Sequence, residues 1–371
     1  MQPPRIIISG GGTGGHIFPA IAIAKAVQKL TPDAQILFVG AKGRMEMEKV
    51  PAAGYEIEGL WISGLQRKLT LKNLMFPFKV ISSLMKARRI VRSFKPDVAV
   101  GVGGYASGPL LKAAASMGKN TLIQEQNSYP GITNKLLSKN ADKICVAYDG
   151  MDRWFPSNKI LKTGNPVREE VTQLDGIREE ALAHFGLNPS KKTVLVVGGS
   201  LGARTINESI KKCLQDFVDQ DIQLVWQCGK FYYEDCKEFA SSYNQDLIKV
   251  HQFITTMNYA YAAADIIVSR AGAMSISELS LVKKPCILVP SPNVAEDHQT
   301  HNAMSLVNKG AAVLVKDVEA RETLGKEILS LLSDEEKRSS LSANISLLGL
   351  AGASEQIARE VLALAETNKK N

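Results

Sequence analysis

The chain is short of acid where it is richest in base. Between Gly59 and Pro96 stand nine Lys and Arg and no Asp or Glu. Long apolar runs are missing as well. No stretch approaches the roughly 18–20 residues needed to cross a bilayer. The run Ile6–Ile8 is cut short by glycines, so neither an anchor nor a signal peptide is expected there. The five cysteines (Cys145, Cys213, Cys228, Cys236, Cys286) are odd in number, scattered, and never in a C-x-x-C pair. That argues against structural zinc and for reduced thiols in a cytoplasm. No helix-turn-helix, zinc-finger or aromatic RNA-binding signature accompanies the basic stretch, so no nucleic-acid partner is expected.

What is present is one move made twice. A short apolar strand breaks into glycines and restarts as a helix, first over Arg5-Ile-Ile-Ile-Ser-Gly-Gly-Gly-Thr-Gly-Gly-His16, then over Thr193-Val-Leu-Val-Val-Gly-Gly-Ser-Leu-Gly-Ala203. Such loops leave backbone N–H groups at a helix start, where they and the helix dipole attract phosphate. Glycine permits close approach and positive φ. At 371 residues the chain fits two domains of ordinary size. Alternating strand and helix patterns predict two doubly wound α/β domains of Rossmann type, with parallel sheets facing across a cleft. The turn cluster Gly164-Asn-Pro-Val167 marks the boundary, giving domains over 1–164 and 165–352, with a helix over 353–367 returning to the first. Charge divides the same way: residues 1–164 hold 23 Lys and Arg against 10 acids, and the remainder 22 against 27.

The loops narrow the chemistry. The expected ribose acid is absent from Phe38-Val-Gly-Ala-Lys42, which weighs against NAD, and no Gly-Lys-[Ser/Thr] follows the first loop, which weighs against an ATPase. A further glycine loop, Gly103-Gly-Tyr-Ala-Ser-Gly-Pro109, follows a buried strand, and together the loops offer donors for a diphosphate. Tight packing turns are the plainer reading. His16, at the helix start, can take a proton from a hydroxyl, or cap the helix, or bind a phosphate oxygen. Glu125, after the strand Thr121–Ile123, can be a base or can orient His16 or a sugar hydroxyl. In the second half Gly272–Ser275 can hold a phosphate, and Glu278 can accept from a ribose diol or merely cap its helix. Asp219-Gln-Asp221 has D-x-D spacing but lies at the wrong end of the sheet, and reads as a solvated turn. His298 and His301 lack a third ligand, so hydrogen bonding to a sugar is preferred to a metal. The 59–96 stretch interleaves its basic residues with Trp61, Phe76, Phe78 and several Leu. This fits an interfacial membrane contact, at about 1 kcal/mol per Lys or Arg near anionic lipid. The alternative is a solvated helix over Lys79–Phe94.

These motifs occur in a fixed order. Gly10-Gly-Gly-Thr-Gly-Gly-His16, Gly103-Gly-Tyr-x-Ser-Gly-Pro109, Glu125-Gln-Asn127, Gly164-Asn-Pro-Val-Arg168, Gly198-Gly-Ser-x-Gly-Ala203, Ser269-Arg-Ala-Gly-Ala-x-Ser-x-Ser-Glu278 and Gln299-x-x-Asn302 span nearly the whole chain. The series closely resembles the MurG family of peptidoglycan N-acetylglucosaminyltransferases. The resemblance implies a GT-B fold and inverting transfer of GlcNAc from UDP-GlcNAc to the muramoyl 4-OH of a polyprenyl-diphosphate-linked muramoyl-pentapeptide. It implies no cofactor and no catalytic metal. It implies that Ser200 and the loop of Ala273, Met274 and Ser275 contact the diphosphate, and that Ile254 gives its backbone to uracil. Glu278 would take the ribose and Gln299 the GlcNAc hydroxyls, with Arg168 near the nucleotide. Thr13, Gly14, Gly15 and Asn127 would face the sugar and diphosphate, and Tyr105 would help place the acceptor. His16 matches the family's favoured base, with Glu125 as rival. Arg168 or Arg270 could neutralise the leaving charge.

Such an acceptor implies a peripheral enzyme on the cytoplasmic face of the bacterial membrane, docked through the 59–96 region. Other cell-wall synthesis proteins are possible partners. Gln124 stands where the family often has histidine, and Leu201 where glutamine is common. A UDP-GlcNAc 2-epimerase of the same layout is the nearest rival enzyme. A membrane-bound sensor that binds UDP-GlcNAc without turnover is the rival of another class.

Overall fold

Successive residues of a strand point to opposite faces, so a strand buried on both faces must be apolar throughout. Ile6, Ile7 and Ile8 meet that demand: Ile6 and Ile8 enter one core, Ile7 the other, and all three are fully buried. The computed structural model describes residues 2–64, 75–167 and 169–370. Two compact units divide it, one formed by Met1–Val167 with Gly352–Asn371, the other by Arg168–Ala351.

The first unit contains β1 (Arg5–Ser9), α1 (Gly14–Leu30), β2 (Gln35–Ala41), α2 (Glu46–Ala52), β3 (Glu56–Leu60), α3 (Phe76–Phe94), β4 (Val98–Gly101), α4 (Ser107–Ser116), β5 (Asn120–Glu125), α5 (Ile132–Leu137), β6 (Lys143–Val146) and β7 (Ile160–Lys162). Its strands form one parallel sheet in the order β3-β2-β1-β4-β5-β6-β7. The second unit contains α6 (Arg178–Phe185), β8 (Thr193–Val197), α7 (Arg204–Asp219), β9 (Gln223–Gln227), α8 (Tyr233–Ala240), β10 (Ile248–His251), α9 (Met257–Ala263), β11 (Ile266–Ser269), α10 (Ala273–Val282), β12 (Cys286–Leu288), α11 (His298–Val307), β13 (Val313–Leu314), α12 (Ala320–Ser333) and α13 (Glu335–Ser346). Its sheet is also parallel, in the order β10-β9-β8-β11-β12-β13. All five cysteines are buried free thiols.

Two helices begin earlier than their sequence pattern suggests. The periodic apolar pattern of α1 is clear only from Ala20, yet the helix starts at Gly14 and runs through Pro19. Proline removes one intrahelical bond, but burial of Ile17, Ala20, Ile21, Ile23, Ala24 and Val27 holds the helix across it. Helix α10 likewise starts at Ala273 rather than Ser275. In both cases the last residues of the glycine loop are already the helix's first turn.

The last helix, α14 (Ala353–Lys370), belongs to the first unit. Ile357, Ala358, Val361 and Ala365 bury against the core that holds Ile17, Ile21 and Val27. Asn120 Nδ2 donates to the Leu364 carbonyl at 2.7 Å, Asn368 Nδ2 donates to the Asp97 carbonyl at 2.7 Å, and Lys143 pairs with Glu360.

Helix α3 has two faces. Ser83, Ala87, Ile90 and Val91 are buried, whereas Phe78, Ile81 and Met85 are 64%, 55% and 62% exposed along the opposite side. Arg88, Arg89 and Arg92 continue that exposed side toward the helix end. Residues 65–74 of the basic stretch lie outside the described residues.

Ile357→Ala is expected to lower the stability of the first unit by about 2–4 kcal/mol, the cost of a core cavity. Glu355→Ala, at an exposed i,i+4 pair with Arg359, is expected to change it by less than about 0.5 kcal/mol. Urea unfolding of the two variants checks this.

Candidate functional site

In a doubly wound sheet the two strands at the reversal of winding send their chains to opposite faces, and a crevice opens at their carboxyl ends. In the first unit those strands are β1 and β4, followed by the loops 10–13 and 102–106. In the second they are β8 and β11, followed by 198–203 and 270–272. Each glycine-rich motif therefore sits at a reversal point of its own sheet.

The loops of the first unit are packed against each other. A Cβ on Gly104, whose φ is +87°, would overlap the Gly11 carbonyl, and one on Gly103 would stand 2.8 Å from His16 Nε2. Ser107 Oγ donates to the Ser9 carbonyl at 3.0 Å or the Gly103 carbonyl at 2.8 Å, tying the second loop to β1. These glycines are required by their neighbours, so the packing-turn reading of them is part of the truth. The N–H of Gly12 donates to Glu46 Oε2 at 2.9 Å, so that donor is spent inside the protein. The amides of Gly14 and Gly15 open α1, where a helix supplies no acceptor of its own. Thr13 is exposed at the cap position. His16 Nδ1 lies 3.1 Å from the Gly11 carbonyl and 3.4 Å from Thr13 Oγ1. A carbonyl only accepts, so Nδ1 is the donor of that bond and carries a proton. Tyr105 is about half exposed, its ring against Gly64.

Glu125 ends β5 and is buried, and burial pushes its carboxyl above the usual range, while hydrogen bonds pull the other way. Oε1 accepts from the N–H of Asn127 at 3.0 Å and from its Nδ2 at 3.2 Å. Oε2 accepts from Gly131 N at 3.1 Å and Asn134 Nδ2 at 2.8 Å. The carboxylate thus fixes Asn127 and the turn that follows it. Gln124 is buried in a chain of amides: its Nε2 donates to Asn165 Oδ1 at 2.9 Å, it accepts from Gln126 Nε2, and Asn165 Nδ2 donates to the Gln126 carbonyl at 3.0 Å. An amide at position 124 therefore ties β5 to the segment that leads to Arg168, which itself lies outside the described residues.

In the second unit Gly272 precedes α10 in extended backbone, so the amides of Ala273, Met274 and Ser275 form a first turn without intrahelical acceptors. Glu278, in the next turn, is buried and accepts from the Tyr261 hydroxyl at 2.9 Å. Gln299 Oε1 accepts from Ser291 N at 2.9 Å. That bond orients the amide and leaves its NH2 to donate to a ligand. Ser200 is exposed on a loop that packs, backbone to backbone, on the turn at Gly229, with Lys230 N donating to the Ser200 carbonyl at 3.0 Å. Leu201 and Phe231 stand exposed beside it.

The N–H of Ile254 donates to Gln227 Oε1 at 2.9 Å, which leaves its carbonyl as the backbone group it can offer. One expectation changes. Arg270 pairs with Asp317 at 2.5 Å, both largely buried, and donates to the carbonyls of Val289 and Pro290 at 3.0 and 3.2 Å. That guanidinium braces the loop after β12, so it is not a spare charge for a leaving diphosphate. Asp219 and Asp221 lie at the amino end of β9, and Asp221 pairs with Lys191. Three contributors escaped the sequence reading: Glu46, Tyr261 and Gln227. Glu46 alone left a signal, an acid shortly after the second strand, but it follows the strand's end by five residues and turns toward the glycine loop.

Two family models match. The glycosyltransferase family 28 N-terminal domain covers residues 6–146, and the glycosyltransferase family 28 C-terminal domain covers residues 193–357. The UDP-N-acetylglucosamine–N-acetylmuramyl-(pentapeptide) pyrophosphoryl-undecaprenol N-acetylglucosamine transferase of Cytophaga hutchinsonii is 58% identical over 369 residues, 100% of this chain and 99% of that protein. Among solved structures, MurG of Acinetobacter baumannii is 26% identical, with TM-score 0.79, over 97% of this chain and 100% of that one. The UDP-GlcNAc 2-epimerase of Neisseria meningitidis, at 15% identity and TM-score 0.66 over 97% of this chain and 100% of that one, shares the fold alone. The sheets, the loops at their reversal points and these full-length matches agree: the chain belongs to glycosyltransferase family 28, among the N-acetylglucosamine transferases of the MurG family.

Proposed function

We propose that this enzyme moves GlcNAc from UDP-GlcNAc to the muramoyl 4-OH of a polyprenyl-diphosphate-linked muramoyl-pentapeptide, inverting the anomeric carbon. The observation that carries this reading is identity above half over the full length to transferases named for that reaction. In mechanism, His16 Nε2 takes the proton of the attacking hydroxyl. Charge gathering on the departing UDP is met by the first-turn amides of Ala273, Met274 and Ser275 and by the dipole of α10, which act without reorganising. Ser200 adds a hydroxyl to the diphosphate, Glu278 accepts from the ribose, the Ile254 carbonyl accepts from uracil, and Gln299 donates to GlcNAc hydroxyls. Arg168 is assigned near the nucleotide. Thr13, Gly14, Gly15 and Asn127 face the sugar, and Tyr105 steadies the acceptor. Glu125, with four N–H donors on its two oxygens, orients Asn127 instead of serving as base.

The acceptor's polyprenyl chain stays in the bilayer, so the enzyme must work at a membrane surface. The exposed side of α3 supports docking at an anionic cytoplasmic leaflet: Phe78, Ile81 and Met85 give apolar area and the arginines beyond them give charge. By the same reading the product feeds the wall synthesis on which cell shape and division depend, alongside other cell-wall proteins.

The experiment is transfer of labelled GlcNAc to the lipid-linked acceptor, with EDTA present. Turnover by wild type is expected; epimerised UDP-sugar without transfer, or UDP-GlcNAc binding with no turnover, contradicts the reading. Glu125→Gln is expected to cost about 1–3 kcal/mol of stability, because an amide NH2 would face N–H donors; lost kcat with unchanged urea unfolding would instead make Glu125 the base. Replacing Phe78, Ile81 and Met85 together by Ser is expected to weaken sedimentation with anionic vesicles at least about tenfold, while transfer to a short-chain, water-soluble acceptor continues. Unchanged vesicle binding would remove α3 from the membrane contact.

A further inference from the structure

The peptide group between Gly11 and Gly12 is held at both ends. Its N–H donates to Glu46 Oε2 at 2.9 Å, and its C=O accepts from His16 Nδ1 at 3.1 Å. The other oxygen of Glu46 accepts from the N–H of Ala41, at the end of β2, at 2.9 Å. Glu46 is fully buried in the first turn of α2. It fits only because two neighbours lack a side chain. A Cβ on Gly11 would overlap Glu46 Oε1, and one on Gly40 would stand 2.5 Å from Glu46 Cγ. The first glycine loop thus makes room for an internal carboxylate directly behind the peptide that His16 touches.

We propose that Glu46 is a positioning residue for His16, acting through the Gly11–Gly12 peptide. A carboxylate accepting from an amide N–H polarises that amide and strengthens its carbonyl as an acceptor, because linked hydrogen bonds reinforce one another at low dielectric. The strengthened carbonyl holds the proton on Nδ1 and fixes the ring's direction. The lone pair is thereby kept on Nε2, the edge that lies against Gly103. A carboxylate bonded directly to imidazole does the same in hydrolytic triads; here a peptide is interposed. No proton crosses the peptide: the one taken from the acceptor hydroxyl goes to Nε2, and the Nδ1 proton stays where it is. This inference rests on the reading of His16 as the base, and extends it to the group that sets the base's tautomer.

The test is the tautomer of His16, read by imidazole nitrogen NMR on the full-length protein under mildly alkaline conditions. His16→Gln identifies its signals among the five histidines. The wild type is expected to show the Nδ1–H form. Glu46→Gln is expected to mix the two tautomers and lower kcat about tenfold, the scale on which outer hydrogen-bond partners of a histidine act. KM for UDP-GlcNAc should stay within about twofold, since the residues assigned to uracil, ribose and the leaving diphosphate belong to the second unit. Gly40→Ala keeps the carboxylate but displaces it, and should mix the tautomers too; it carries the test if Glu46→Gln does not fold. An Nε2–H form in the wild type would overturn the proposal. So would a folded Glu46→Gln that keeps the wild-type tautomer, or one that raises KM alone. If His16→Gln retains full kcat, the base reading fails separately, and the tautomer data still decide whether Glu46 governs the ring.

Discussion

A parallel sheet wound in both directions has one place where neighbouring chains turn away from each other, and there the carboxyl ends of two strands are left uncovered. This constraint governs where everything else can be in each unit. It falls between β1 and β4 in the first and between β8 and β11 in the second. Chains leaving these strands must turn at once into helices, so first-turn amides are presented where no intrahelical acceptor exists. In the second unit that turn is Ala273 to Ser275, with Glu278 one turn later. In the first it is Gly14 to His16. On the proposed reading the same geometric device serves donor binding in one unit and proton transfer in the other, and the difference lies in the side chains set around it.

The glycines show how the two uses diverge. Around β1 and β4 they admit protein: Gly11 and Gly40 admit Glu46, Gly103 admits the imidazole, and Gly104 admits the backbone of Gly11. The buried acid behind the loop takes the Gly12 amide, so the amides left to face a ligand there are those of Gly14 and Gly15. Among the hydrogen bonds of the described residues none joins an acid to the first three amides of α10, and Glu278 in its next turn accepts from the Tyr261 hydroxyl. Part of the basic charge of residues 1–164 lies on α3, whose exposed Arg88, Arg89 and Arg92 stand on the same side as Phe78, Ile81 and Met85.

Much of the fold was legible because it rests on local patterns. Strands such as Arg5–Ser9, Lys143–Val146 and Thr193–Val197 are continuous apolar runs bounded by glycine or polar residues, and their alternation with helices dictates a parallel sheet. Helix starts were less legible: glycines and Pro19 hide the first turn of α1, and only the buried inner face, a tertiary fact, shows why it forms. Among site residues, motif order pointed to His16, Glu125, Glu278 and Gln299. What no spacing carries is which partner each side chain takes. Arg270 looks like a charge for phosphate until Asp317, 47 residues on, is seen beside it. Glu46 looks like an ordinary first-turn acid until its oxygens are found on Gly12 and Ala41. Tyr261 and Gln227 are invisible as site residues for the same reason, since their hydrogen bonds reach 17 and 27 residues along the chain.

The central claim is a division of labour, with donor recognition in the second unit and the base in the first. Calorimetric titration of UDP-GlcNAc into Glu278→Gln and into His16→Gln, each beside the wild type, tests it most directly. The account predicts that Glu278→Gln weakens donor binding about tenfold or more, as expected when a buried charged hydrogen bond is lost. His16→Gln should bind the donor like the wild type. Donor binding lost in His16→Gln and retained in Glu278→Gln would contradict the account.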